Sequence, residues 1–363
     1  KGNNMKYLLI LTLTVFAHQS AAQVIWPSTS APCDTTLQAC VSASAEGETI
    51  EIHTNDIIDE TITAFNAQSL IAGVGYKPVF AADRNIEISG TATDNLTVTI
   101  SGLTLIRGRI TYTAFDFGGQ NTTLNISNNL IRANLFNGHT IRINNQFNHN
   151  LNLNIEYNQI TFFFNPSGII ENGAIAITNG SSIGSSSTGT ITGRIYNNQI
   201  RTQNVGSIGI GLYEYAGNSS DLDISSNTLT GGEAVATYIE KAPQSLGNSR
   251  LDFAHNAIYN NQIDDNLNGF QANVSDGTLE VNAINNTVAG ADMGFNFQPS
   301  FGGVLEINFY NNLVTQTRTP FIIRNPTITD GTANVTFNND NNLFYACCRP
   351  KLQHCQPNDK RLD

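Results

Sequence analysis

Two aspartates stand in matching local settings, Leu222-Asp223-Ile224 and Leu251-Asp252-Phe253, about 29 residues apart. Carboxylates held close together cannot both ionise freely. One pKa rises, giving an acid or base able to work on a sugar, or a cation such as Ca²⁺ is shared between them. Arg194 occupies the equivalent setting one copy earlier, and with the two aspartates it forms the catalytic candidate set. Glu156, Tyr196, Asp221, Arg250 and Glu280 lie two residues to either side of that position in their own copies and are the candidates for holding a substrate. The competing reading is a surface ladder of aspartates neutralised by arginines. The two readings share one requirement: something must lay these distant segments side by side.

A repeated block supplies it. Asn125-Ile-Ser-Asn-Asn-Leu-Ile131 returns as Asn154 to Ile160, Arg194 to Ile200, Asp223 to Leu229, Asp252 to Ile258, Asn282 to Val288, Asn308 to Val314 and Asn338 to Phe344. Its anchor asparagines are Asn129, Asn158, Asn198, Asn227, Asn256, Asn286, Asn312 and Asn342, spaced about 26 to 30 residues apart with one gap of about 40. A sustained period in that range marks a stacked-repeat architecture. Upstream of each anchor, apolar residues alternate with polar ones, the pattern of a strand with one buried face. Asn suits the bend that follows, because it tolerates left-handed backbone angles, and stacked asparagines can bond from coil to coil at about 4.8 Å. A second apolar strand and a polar loop complete each copy, so each repeat reads as strand, bend, strand, loop. The long gap falls on the Ser/Gly run 181–189, an insertion in a surface loop. Aligning the anchors puts Asn125, Asn154, Arg194, Asp223, Asp252, Asn282 and Asn308 in one outward column, and Asp221, Arg250, Glu280 and Glu306 in a second. Asp223 and Asp252 are then one strand spacing apart.

These repeats resemble the right-handed parallel β-helix proteins of the pectin-lyase-like superfamily, with their recurring Ile-x-x-Asn-x-Ile coil motif. The resemblance covers residues 34–345 and implies an all-β solenoid of roughly ten coils. It also implies a short N-terminal capping helix, here at about 34–44, with Asp34 or Thr35 as N-cap and Leu37, Cys40 and Val41 on one face. An unplugged first coil would expose its apolar interior and its strand edges. Cys33, just before that helix, and Cys40, on it, are a natural disulfide pair in an exported chain, two free thiols being the alternative. Gly102 replaces the usual Asn in the coil before the array.

Export is read from residues 5–22: Lys6, an apolar run from Tyr7 to Ala17 too short for a membrane span, then Ser20-Ala21-Ala22 before Gln23. Residues 23–33 read as a linker. Residues 346–363 form a tail of different character, with Cys347, Cys348 and Cys355 beside His354 and several basic residues. A disulfide with a spare thiol, a tail out of register with the natural protein, or a metal site all fit it. The 363 residues carry a net charge of −11. That argues against nucleic acid and anionic membranes as partners. Only 13% of residues are charged, so the exterior is mainly amide and hydroxyl groups, suited to hydrogen bonding with neutral sugars.

The superfamily spans lyases, hydrolases, esterases and adhesins, so the resemblance by itself assigns no activity. The galacturonan hydrolases' Asn-Thr-Asp, Asp-Asp, Gly-His-Gly and Arg-Ile-Lys motifs have only partial echoes here. These are Asp264-Asp265, Gly138-His139-Thr140 and Arg142-Ile143-Asn144, in the wrong order. The calcium-dependent lyases' Trp-Ile-Asp-His block is absent, Trp26 being the only tryptophan. Three expectations follow: a non-catalytic, monomeric, exported or cell-surface solenoid in contact with glycans; a polysaccharide lyase or hydrolase acting at Asp223 and Asp252; or a structural passenger of a larger surface protein.

Overall fold

The computed structural model describes residues 23–346, apart from 91–95, 115–120, 136–138, 147, 165–172, 181–187, 204–206, 232–234, 261–266, 301 and 325–333. The signal-like segment, the cysteine-bearing tail, Asp264-Asp265 and most of the Ser/Gly insertion therefore lie outside the described residues.

The chain winds into a parallel β-solenoid with three sheets of twelve, eleven and ten strands. One coil shows the pattern: Asn121–Ser127 in the first sheet, Leu130–Leu135 in the second, His139–Asn145 in the third. Each repeat thus holds three strands, not the two expected. The short piece after each anchor is a strand of its own, because Ile131, Ile160 and their equivalents pair in register along the second sheet. Every strand pair is parallel, and anchor-based alignment gives the register directly: Asn125 pairs with Asn154, Asn154 with Arg194, Arg194 with Asp223, Asp223 with Asp252.

Inward positions carry Leu124, Ile126, Leu153, Ile155, Leu222, Ile224 and their counterparts, nearly all with no solvent exposure. Each such side chain contributes about 1.5–3 kcal/mol on leaving water. Toward the last coils the filling becomes aromatic. Phe253, Phe270, Phe295 and Phe309 stack through the core with ring centroids 4.7–6.4 Å apart.

The anchor asparagines form a continuous buried ladder. In Asn158 both the backbone N–H and the side-chain amide donate to Asn198 Oδ1 (3.0 Å each), while the second amide hydrogen goes to the Ile126 carbonyl (2.8 Å). The same three bonds recur at Asn198, Asn227, Asn256, Asn286 and Asn312. The left-handed backbone angle does not fall on the anchor, as expected from sequence, but on the residue before it. Asn128, Tyr157, Asn197, Ser226, His255 and Asn285 have φ between 52° and 58°. That residue faces out at the bend, which frees the anchor side chain to point inward. Gly102 occupies this bend position (φ 76°) and Leu103 the anchor position, its N–H donating to Asn129 Oδ1 at 3.0 Å. Gly102 is therefore aligned with Asn128, one place off the sequence reading.

The N-terminal end is plugged by the helix Leu37–Ala43, whose buried face is Leu37, Cys40 and Val41. Its N-cap is Thr36, one or two residues beyond the expected Asp34 or Thr35, and its hydroxyl accepts from the Ala39 N–H. Glu60 from the first coil accepts from the Leu37 and Gln38 N–H groups at 2.9 Å each. A carboxylate there also complements the positive end of the helix. The Gln38 side chain imitates a strand: its amide donates to the Thr63 carbonyl and its oxygen accepts from the Thr63 N–H. That satisfies an edge strand that would otherwise be open to pairing. Cys33 and Cys40 are disulfide-bonded. Part of the expected linker is structural: Gln23–Trp26 is a strand that pairs with Thr49–Ile52 and closes the first sheet.

The ladder predicts a steep position dependence. Asn227→Ala strands the buried Asn198 N–H and the Ile195 carbonyl and costs about 3 kcal/mol. Asn342→Ala, on a half-exposed rung, costs under about 1 kcal/mol. Urea denaturation of the two variants, followed by circular dichroism, checks the ordering.

Candidate functional site

Outward residues of the first sheet fall in parallel columns, because side chains two apart along a strand share a face. The column through Asp223 and Asp252 is itself a hydrogen-bonded ladder at both ends. Asn154 donates to Asn125 Oδ1 (3.0 Å), Asn282 to Asp252 Oδ1 (2.7 Å), Asn308 to Asn282 (2.7 Å) and Asn338 to Asn308 (2.9 Å). Between these runs stand Arg194, Asp223 and Asp252. Arg194 is bonded through Nε to Glu156, and its pKa is pushed further up by that hydrogen bond and charge, with a smaller contribution from Asp223. Arg250 closes on Asp252 within its own strand, one guanidinium nitrogen reaching both carboxylate oxygens at 2.9 and 3.1 Å. Asp223 and Asp252 are thus register partners, each with an arginine at hand.

Arg194 follows a glycine, Gly193, in its strand. Neighbouring coils have Leu153 and Leu222 in that inward column, but Gly193 has φ 120°, and a Cβ there would come within 2.1 Å of the Leu153 carbonyl oxygen. The strand continues past this point only with glycine.

The second column lines a trough. Asp221, Arg250, Glu280 and Glu306 are successive register partners, and with Thr190 and Thr192 they border an open depression of about 480 Å³ at the start of the first-sheet strands. The structure therefore divides the expected set. Asp221, Arg250 and Glu280 share the trough, Arg194, Asp223 and Asp252 occupy the column beside it, and Glu156 and Tyr196 lie one column further along, where the Arg194 side chain reaches them. Tyr196 meets Tyr157 edge to face, ring centroids 5.6 Å apart at 82°, and the Arg194 guanidinium sits 5.4 Å above the Tyr196 ring.

Among the described residues, no group of three or more His, Cys, Asp or Glu side chains is arranged to hold a metal ion. His139, from the near-match Gly138-His139-Thr140, is buried in the third sheet. Burial, aided by Arg142 and Arg109, pushes its pKa down to about 3. It is a neutral core residue at ordinary pH.

One polar cluster is invisible in the repeat pattern. At the corner between the third and first sheets, Lys241 Nζ donates to Glu214 Oε2 (2.8 Å) and to Ser249 Oγ (3.1 Å), and Ser249 Oγ donates to Glu214 Oε2 (2.7 Å). Lys241 and Glu214 have no solvent exposure. Glu214 and Lys241 are register partners that follow Asn145 and Asn179 in one column, and the Asn145 amide donates to Asn179 Oδ1. The available signal was two charged residues at the ends of third-sheet strands, where the two preceding coils hold asparagine and the two following ones Val274 and Pro299.

The fold and its ladders define the class: a parallel β-solenoid with stacked asparagines. Comparison with protein-family models, with curated protein sequences and with solved structures finds no match to this chain.

Two predictions follow from this geometry. The Asp223→Asn, Asp252→Asn double variant keeps the fold, since asparagine already fills that column on both sides, and melts within about 2 °C of the parent. Calcium should shift neither melting curve; a shift in the parent alone would reveal a cation site. Lys241→Met leaves the Glu214 carboxylate buried without its counter-charge and costs about 3–5 kcal/mol, whereas Lys241→Met with Glu214→Leu recovers most of that loss. Denaturation midpoints of the single and double variants decide it.

Proposed function

We propose that this protein is an exported, surface-presented solenoid, allied to the pectin-lyase-like β-helices, that binds an extended glycan along the outward face of its first sheet without cleaving it. The observation that carries this reading is the trough, where hydroxyl and charged side chains from successive coils repeat at strand spacing. A linear polymer presents its own repeating hydroxyls to such a surface, so binding accumulates rung by rung through modest hydrogen bonds. Asp221, Glu280 and Glu306 outnumber Arg250 in the trough lining, and the whole chain is acidic. Both features repel a polyanion and favour a neutral glycan. The Cys33–Cys40 disulfide supports an oxidising, extracytoplasmic setting, in keeping with the signal-like residues 5–22. Among the described residues no helix is long and apolar enough to cross a membrane.

The lyase or hydrolase reading keeps one supporting observation, the in-register pair Asp223 and Asp252. Against it stand the arginine and asparagine that engage Asp252.

A glycan array with the secreted protein, run beside reducing-sugar and unsaturated-product assays, separates the readings. Binding to neutral glycans without product is expected, with at least about tenfold weaker binding for Asp221→Ala, Arg250→Ala. Product formation abolished by Asp223→Asn would replace the binding reading with the enzymatic one. Neither binding nor product would leave the passenger reading.

A further inference from the structure

Tyr157 stands where the backbone is left-handed, with φ 56°. Equivalent bends in the other repeats are filled by Asn, Ser, Gly or His, residues that are small or known to tolerate this region. A bulky aromatic there is an outlier, and the core does not compensate for it, because the Tyr157 side chain is 48% exposed. Strain kept at an exposed position points outward, to something the residue contacts.

The surroundings say what that contact is. Tyr157 and Tyr196 meet edge to face at 82° with centroids 5.6 Å apart, forming a corner on the outer surface. The Arg194 guanidinium sits 5.4 Å from the Tyr196 ring centroid, and Arg194 is held by Glu156, which is only 15% exposed. Two rings, a fixed donor and a fixed acceptor thus meet on one surface. A pyranose with all its hydroxyls equatorial has this complementary shape: axial C–H bonds on the flat faces for an aromatic ring, hydroxyls around the rim for Arg194 and Glu156. An axial hydroxyl would block stacking through the face it projects from, whereas an all-equatorial ring can stack through either face. The corner lies on the same sheet face as the trough, about four residues or ~13 Å along the strands.

We propose that Tyr157 and Tyr196 form a stacking subsite for one ring of a β-1,4-linked, all-equatorial glucopyranose chain, a proposal that rests on the glycan-binding reading above and names its ligand class. Cellulose-type and chitin-type chains share this chemistry, and they differ only at the 2-substituent.

The test titrates cellohexaose and chitohexaose separately by isothermal calorimetry into the parent, Tyr157→Phe, Tyr157→Asn and Arg250→Ala proteins, with melting curves for each. Expected is binding of at least one hexasaccharide, kept within about threefold in Tyr157→Phe and lost by at least about tenfold in Tyr157→Asn. Tyr157→Asn should melt no lower than the parent and up to about 2 °C higher, because asparagine relieves the bend. Unchanged affinity in Tyr157→Asn would overturn the subsite while leaving the trough, read by Arg250→Ala, in place. A parent protein that binds neither hexasaccharide also overturns it, and the glycan array then judges the trough alone. A melting point several degrees lower in Tyr157→Asn would show that Tyr157 is there for packing, and would overturn it as well.

Discussion

At each turn from the first sheet into the second between Leu103 and Asn312, the chain carries a backbone N–H into the solenoid interior, where no water can meet it. An unpaired buried donor costs as much as several ordinary contacts supply. The asparagine ladder resolves this at each rung, since one Oδ1 accepts both the backbone and the side-chain donor of the coil before it, and the remaining amide hydrogen returns to a strand carbonyl. The rest of the architecture follows from that arrangement. The anchor must point inward, so the preceding residue takes the left-handed bend. Rungs must sit one strand spacing apart, so sheets stack in register, and outward columns then inherit the same spacing.

Polar groups outside this ladder are satisfied by related means. The outer column carries its own asparagine run, with donors pointing toward the N-terminal coil, opposite to the inner ladder. Where that column turns to Arg194, Asp223 and Asp252, charge replaces amide, and arginines stand in for the missing donors. The same exchange occurs inside, where Glu214 and Lys241 take over from Asn145 and Asn179. An ion pair in such a dry place is held by geometry more than by net energy, because desolvation offsets much of the attraction. Its effect is to tie the third sheet to the first strand of the next coils through Ser249.

The surface features behind the proposed glycan binding arise from this regularity and from departures within it. Threonine, asparagine and carboxylate rows are products of the repeat. Gly193 and Tyr157 depart from it, in adjacent coils, and both bear on the patch that contains Arg194 and Tyr196. Gly193 is required by the close approach of the Leu153 carbonyl, whereas an exposed aromatic at the Tyr157 bend is not required by stacking.

Much of this was legible in the chain alone. The anchor spacing gave a parallel stacked fold, and alternation upstream of each anchor placed Asp223 against Asp252 and Asp221 against Arg250, because a one-residue slip would turn every Leu and Ile outward. Stacked asparagine bonding, the plugging helix and its disulfide were readable for the same reason, being local or repeated. Other features needed three dimensions. Which residue of the bend is left-handed depends on which side chain the interior claims. Glu60 and Gln38 cap and edge the plug through contacts that no local pattern encodes. The Glu214, Lys241 and Ser249 cluster joins two sheets across a corner, and the Tyr157–Tyr196 corner sets a bend residue of one coil against a strand residue of the next. Hydrophobic period fixes what stacks within a sheet; what meets between sheets and bends is decided only when the coils close.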